Sequence, residues 1–162
     1  MTPLEVALRS SRALAAVEEK LIARARDLYR LGFSCEAIAP AQMSAFGELL
    51  RAASNRDEAL AATEGWMRGQ LEKLKDEADR KKPRSWFQAP AGGTEASLGA
   101  ELMAWIREER FLGDSPDPDL DRLAALRRFW ERFHGLYRYE AETRGEMPLP
   151  ALDLQKKGDE PR

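Results

Sequence analysis

His134 is the only histidine in the chain, and it stands three residues after Glu131. Glu-x-x-His spacing places both side chains on one face of a helix. In ferritin-like bundles that step binds iron, but such a site needs two of these motifs and two further glutamates. With a single histidine neither that site nor a two-histidine zinc helix can be assembled. As the base of a Ser-His-Asp or Cys-His site, His134 would need an activated nucleophile beside it. No glycine-flanked serine elbow occurs, and the one cysteine, Cys35, has no basic partner near it in sequence. A lone cysteine also excludes an internal disulfide and a cysteine-based metal site. Gly92-Gly93 is followed by no Gly-Lys-Ser/Thr, so it is not a phosphate loop. Glu108-Glu109 falls in a charge-dense stretch and reads as a solvated pair. The sequence points to a protein that is not an enzyme and uses no metal or cofactor.

Binding chemistry is better represented than catalysis. Residues 68–84 hold seven positive charges against four negative ones, and they end in Arg80, Lys81, Lys82 and Arg84. Residues 127–138 hold Arg127, Arg128, Arg132 and Arg138 against Glu131 alone. The second stretch also interleaves arginine with aromatic residues, a mixture used for phosphate pairing and base stacking. Trp130, Phe133 and Tyr137 repeat at helical spacing and read as packing, which leaves Arg127, Arg128, Arg138 and Tyr139 to face a ligand. The whole chain carries a formal charge of −2, so overall basicity cannot coat a nucleic acid. Charge is local: two basic regions on an acidic remainder.

These residues need a scaffold, and its elements are helices. A length of 162 residues with 43% apolar content fits one globular domain. Charges interrupt every segment that could cross a membrane, and the first residues do not look like a secretory leader. The expected compartment is the cytoplasm. Leu14, Val17, Leu21, Ala25 and Leu28 predict a first helix over about 3–31, stopped at Gly32. Pro40 opens a second, to about 53, and Ser54 or Asn55 caps a third, over about 56–82. Thr94 is placed to cap a fourth, over about 95–112 and closed by Gly113; Asp117-Pro118 starts a fifth, over about 118–143. The expected fold is all-α: a bundle of about five helices over 1–145, with a flexible C-terminal tail over 146–162.

The order of these features resembles a known family. Ile38-Ala39-Pro40-Ala41-Gln42-Met43-Ser44-Ala45-Phe46 is similar to the entry into the second helix of the small subunit of type III-A (Csm-type) CRISPR effector complexes. The long helix ending in Asp76-Glu77-Ala78-Asp79-Arg80-Lys81-Lys82 and the aromatic helix Phe129-Trp130-Glu131-Arg132-Phe133-His134-Gly135-Leu136-Tyr137-Arg138-Tyr139 continue the likeness over about residues 18–145. Ser44 stands where the family usually has a basic residue, Asp79 where it has glycine, and Glu140 follows Arg138-Tyr139 at the close. The resemblance implies a non-catalytic subunit that braces guide RNA and target RNA and contacts neighbouring protein subunits. Arg80, Lys81, Lys82, Arg84, Arg127, Arg128 and Arg138 would then be its phosphate contacts. The alternative is a protein–protein adaptor or chaperone-like bundle without nucleic acid, with Trp66, Trp86 and Phe87 as exposed anchors.

Overall fold

The chain is described by a computed structural model that covers residues 1–30, 38, 40–77, 86–87, 97–113 and 116–143, with backbone alone for 74–77 and 140–143. Five helices account for most of it: α1 (Pro3–Tyr29), α2 (Pro40–Ala52), α3 (Arg56–Glu77), α4 (Leu98–Arg107) and α5 (Arg122–Thr143). No strand occurs among the described residues, and no described helix is long and apolar enough to cross a membrane. The expected stop at Gly32, the end of the third helix at 78–82 and the tail at 146–162 lie outside the described residues.

Local chemistry explains where most helices begin. Thr2 accepts a hydrogen bond from the Glu5 amide while the Glu5 carboxylate accepts from the Thr2 amide, a full capping box ahead of Pro3. Asn55 caps α3, its side-chain oxygen accepting from the Glu58 amide at 2.8 Å. The fourth helix starts later than expected, because Ser97, whose hydroxyl accepts from the Ala100 amide, is its cap; Thr94 lies outside the described residues. The fifth starts four residues later too. Asp117 closes a turn through the Asp119 and Leu120 amides, Leu120 is buried, and Asp121 accepts from the Leu123 and Ala124 amides to cap α5.

The fourth helix also ends differently. The amides of Glu109 and Arg110 donate to the carbonyls of Ile106 and Trp105, a Schellman closure, and Glu109 takes the left-handed conformation at φ 52°. Glycine usually fills that position; Gly113, expected to do so, has φ 82° four residues further on. Glu109 is held by charge instead. Its carboxylate pairs with Arg56 at 3.0 Å and Arg122 at 2.8 Å, with 15% of the side chain exposed. One residue thereby ties the starts of α3 and α5 to the end of α4.

Packing follows the apolar stripes. α1 lies chiefly on α5, and α2 lies on both α3 and α5. α4 meets α3 along its backbone and reaches α5 through Trp105 stacked on Phe129. Phe46 of α2 is the hub, with ring centroids 4.6 Å from Trp130, 5.6 Å from Trp86 and 5.8 Å from Trp66. Two glycines permit this closeness. A Cβ on Gly47 would stand 2.9 Å from the Trp130 indole nitrogen, and one on Gly99 would stand 2.9 Å from the Trp86 carbonyl oxygen.

Candidate interaction surfaces

Three of the α5 arginines reach across to other helices. Arg127 donates from Nε to the Leu50 carbonyl at 2.8 Å and from Nη2 to the carbonyls of Arg51 and Ala53 at 3.1 and 2.6 Å. It therefore satisfies the last carbonyls of α2, which have no partner within their own helix. Arg127, expected to face a ligand, thereby acts as a cap supplied by another helix. Arg128 donates to Glu18 at 2.6 Å and Arg132 donates to both oxygens of the same carboxylate at 2.8 and 3.3 Å. This knot fixes α1 on α5. Hydrogen bonding to Arg132 and then to Arg128 holds the Glu18 carboxyl below its ordinary range, against the opposing effect of burial. Arg138 is exposed, while Arg80, Lys81, Lys82 and Arg84 lie outside the described residues.

His134 is half-buried against Trp130, with ring centroids 5.6 Å apart. Burial, then the charges of Arg138 and Arg51, push its pKa down and favour the neutral ring. Among the described residues, no three His, Cys, Asp or Glu side chains converge on a point that could hold a metal.

Of the expected exposed anchors, Trp86 is a core residue, and Trp66 and Phe87 are half-buried against the core. Trp86 is fully enclosed, Trp66 packs edge-on against it at 5.2 Å, and Phe87 is half-buried beside it. Periodicity identifies Trp66 as helical but cannot show that Trp86, from the connection after α3, folds back onto the Phe46 hub.

Two apolar surfaces escape the sequence reading. The first nine residues of the chain, which include the first turns of α1, are exposed, and Leu4 and Leu8 keep 68% and 46% of their surface. Between α3 and α4 runs a groove of about 320 Å³ floored by Met67, Leu71, Phe87, Gly99 and Met103. Glu64, Arg68 and Arg107 stand on its rim, and Arg107 pairs with Glu64 at 3.2 Å. The first surface is legible afterwards: Leu4 and Leu8 are spaced i, i+4, off the stripe of Leu14, Val17 and Leu21. The second is made by tertiary packing and leaves no trace in spacing.

No protein-family model matches the chain, and comparison with curated proteins and with solved structures finds no significant match.

Proposed function

We propose that this protein is a non-catalytic helical subunit of a cytoplasmic CRISPR-type ribonucleoprotein, where it braces guide RNA and target RNA and meets neighbouring protein subunits. The observation that carries the reading is Arg80-Lys81-Lys82-Pro83-Arg84, four cations in five residues just beyond the described end of α3, on a chain of net charge −2. Lysine and arginine in such a cluster neutralise phosphates without reading sequence, while an acidic remainder suits basic protein neighbours. The resemblance of residues 18–145 to the small subunit of type III-A complexes supports the same role. Within this reading Arg138 joins the cluster as a phosphate contact, and Arg127 and Arg128 act indirectly by fixing α5 on α2 and α1.

The test is charge reversal in the assembled complex. Replacing Arg80, Lys81 and Lys82 by glutamate should weaken RNA retention and lower the salt slope of binding by roughly 0.7 for each lost single-strand contact. Helicity and thermal stability should stay nearly unchanged, since residues that serve as phosphate contacts face solvent in the free protein, and such substitutions usually fall within about 0.5 kcal/mol. Normal assembly and RNA retention over a range of salt would refute the RNA role. The second reading, an adaptor without nucleic acid, is favoured by the exposed Leu4 and Leu8 and the apolar groove, and it would then stand.

A further inference from the structure

We propose that residues 147–154 of this chain fold back and seat in its own α3–α4 groove, with Leu149 and Leu152 on the apolar floor and Asp153 on Arg68. This goes beyond the RNA reading and does not depend on it. Leu71 keeps 39% of its surface exposed, and Met67, Phe87 and Met103 line the groove beside it. An apolar opening rimmed by charge marks a contact surface. Residues 78–85 and 88–96, which adjoin α3 and α4 in sequence, hold no apolar residue larger than alanine or proline. Residues 147–154 read Met-Pro-Leu-Pro-Ala-Leu-Asp-Leu, an apolar run with a single charge.

The course of the helices brings this segment to the groove. Arg56 and Arg122, the first residues of α3 and α5, both pair with Glu109, and further along Trp66 and Trp130 both pack on Phe46. The two helices therefore run in the same direction, and α5 ends at the end of the bundle to which Leu71 belongs. Arg56 to Leu71 is 15 residues and Arg122 to Thr143 is 21, a difference of about 9 Å along the axes. α3 touches α5 and α4 touches α3, so the groove lies about two helix spacings, or about 20 Å, to the side. The nine residues from Thr143 to Leu152 span up to about 30 Å, which covers the distance.

The chemistry of the segment fits the site. Pro148 and Pro150 fix two backbone angles before docking, and a proline-rich segment with three residues per turn sets Leu149 and Leu152 on one face, about 9 Å apart. Glu64 to Leu71 along α3 is about 10 Å, so the two leucines match the length of the groove. A cavity of about 150 Å³ already accepts a benzene-sized group, so a groove of about 320 Å³ has room for both. Residues 146–154 carry Glu146 and Asp153 and no cation, whereas the rim carries Arg68 and Arg107 against Glu64. Glu64 is already paired with Arg107, and Arg68 makes no hydrogen bond or ion pair with another described residue. Asp153, beside Leu152, supplies its carboxylate. Tethered to its own chain, the segment has an effective concentration of about 1 mM, so a contact with a Kd of only about 100 µM stays about nine-tenths filled. A protein that uses this groove has to displace the tail first.

The experiment is carbon-13 methyl spectroscopy of the methionines in the full chain, without RNA, comparing the wild type with L149E/L152E. Met67 and Met103 line the groove and report on it, while Met43, 1% exposed in the core, is the control. The Met67 and Met103 resonances should differ between the two proteins, and the Met43 resonance should coincide. A peptide of residues 144–157 added to L149E/L152E should return both resonances to their wild-type positions with saturation. Arg68→Glu in that background should weaken the peptide about two- to fivefold, and a peptide carrying Asp153→Arg should recover the loss. Resonances that are identical in the wild type and L149E/L152E, or that the peptide leaves unmoved, overturn the proposal, whatever else the groove accepts. A wild-type difference that fades on dilution, with a dimer in sedimentation, also overturns it, since the tail in the groove would then belong to a second copy.

Discussion

Glu109 shows how a single residue can hold an unfavourable conformation because of what its side chain reaches. A left-handed backbone costs a non-glycine residue about 1 kcal/mol or more, and the ion pairs to Arg56 and Arg122 offset this from outside the helix. Glu109→Ala loses both pairs and keeps the backbone strain, while Glu109→Gly loses the same pairs and relieves it. In urea unfolding Glu109→Gly should be the more stable of the two by about 1 kcal/mol. Coincident midpoints would show that the Schellman closure carries no strain. Sequence could not have revealed this arrangement. Glu108-Glu109 looks like a solvated pair because the arginines that meet Glu109 lie 53 residues before it and 13 after it.

Among the elements, α4 packs with little room to spare. The Gly99 amide donates to the Trp86 carbonyl at 2.6 Å, and a Cβ on Gly99 would also come within 3.1 Å of the Phe87 ring. Gly99→Ala should therefore destabilise by about 1–3 kcal/mol through overpacking, exceeding its gain in helix propensity. The same substitution at Gly69 of α3 or Gly135 of α5, where a Cβ would meet nothing within 4 Å, should stabilise by about 0.5–1 kcal/mol. Thermal unfolding of the three single variants checks the contrast, and a loss at all three would refute it. Helix identity was legible because local rules decide it: Asn55 as a cap, Pro40 in a first turn, and Leu21, Ala25 and Leu28 on a stripe that is indeed buried. Boundaries at Ser97 and Asp121 were not. At both ends several residues could cap, and burial of Leu98 and Leu120 selects among them. The candidate surfaces were less legible still, since Arg127 looks the same in sequence whether it meets a phosphate or the carbonyls of α2.

At the scale of the molecule, two titratable groups link the bundle to pH. In the fold both the His134 ring and the Glu18 carboxyl have pKa values below the ordinary 6.5 and 4.5. The unfolded chain therefore binds protons first as pH falls, and each group contributes stability that is complete above its ordinary value and lost below it. Stability should hold a plateau above pH 6.5, decline below it as unfolded His134 takes up a proton, and decline again below 4.5 as the Glu18 knot is lost. His134→Gln should remove the first decline and Glu18→Gln the second, with Glu18→Gln also costing stability at neutral pH. Urea midpoints measured across this range test both, and a first decline that persists in His134→Gln would assign it to other groups.

The ring cluster around Phe46 gives the molecule an optical property of its own. Trp66 and Trp86 stand 5.2 Å apart at 83°, close enough that their intense indole transitions should couple and give an exciton couplet in the far-ultraviolet dichroism. Trp86 is also the residue whose carbonyl meets Gly99 behind the α3–α4 groove, with Phe87 between that pair and the opening. A group that enters the groove and shifts Phe87 should disturb this coupled pair, and the dichroism would then read groove occupancy without a label.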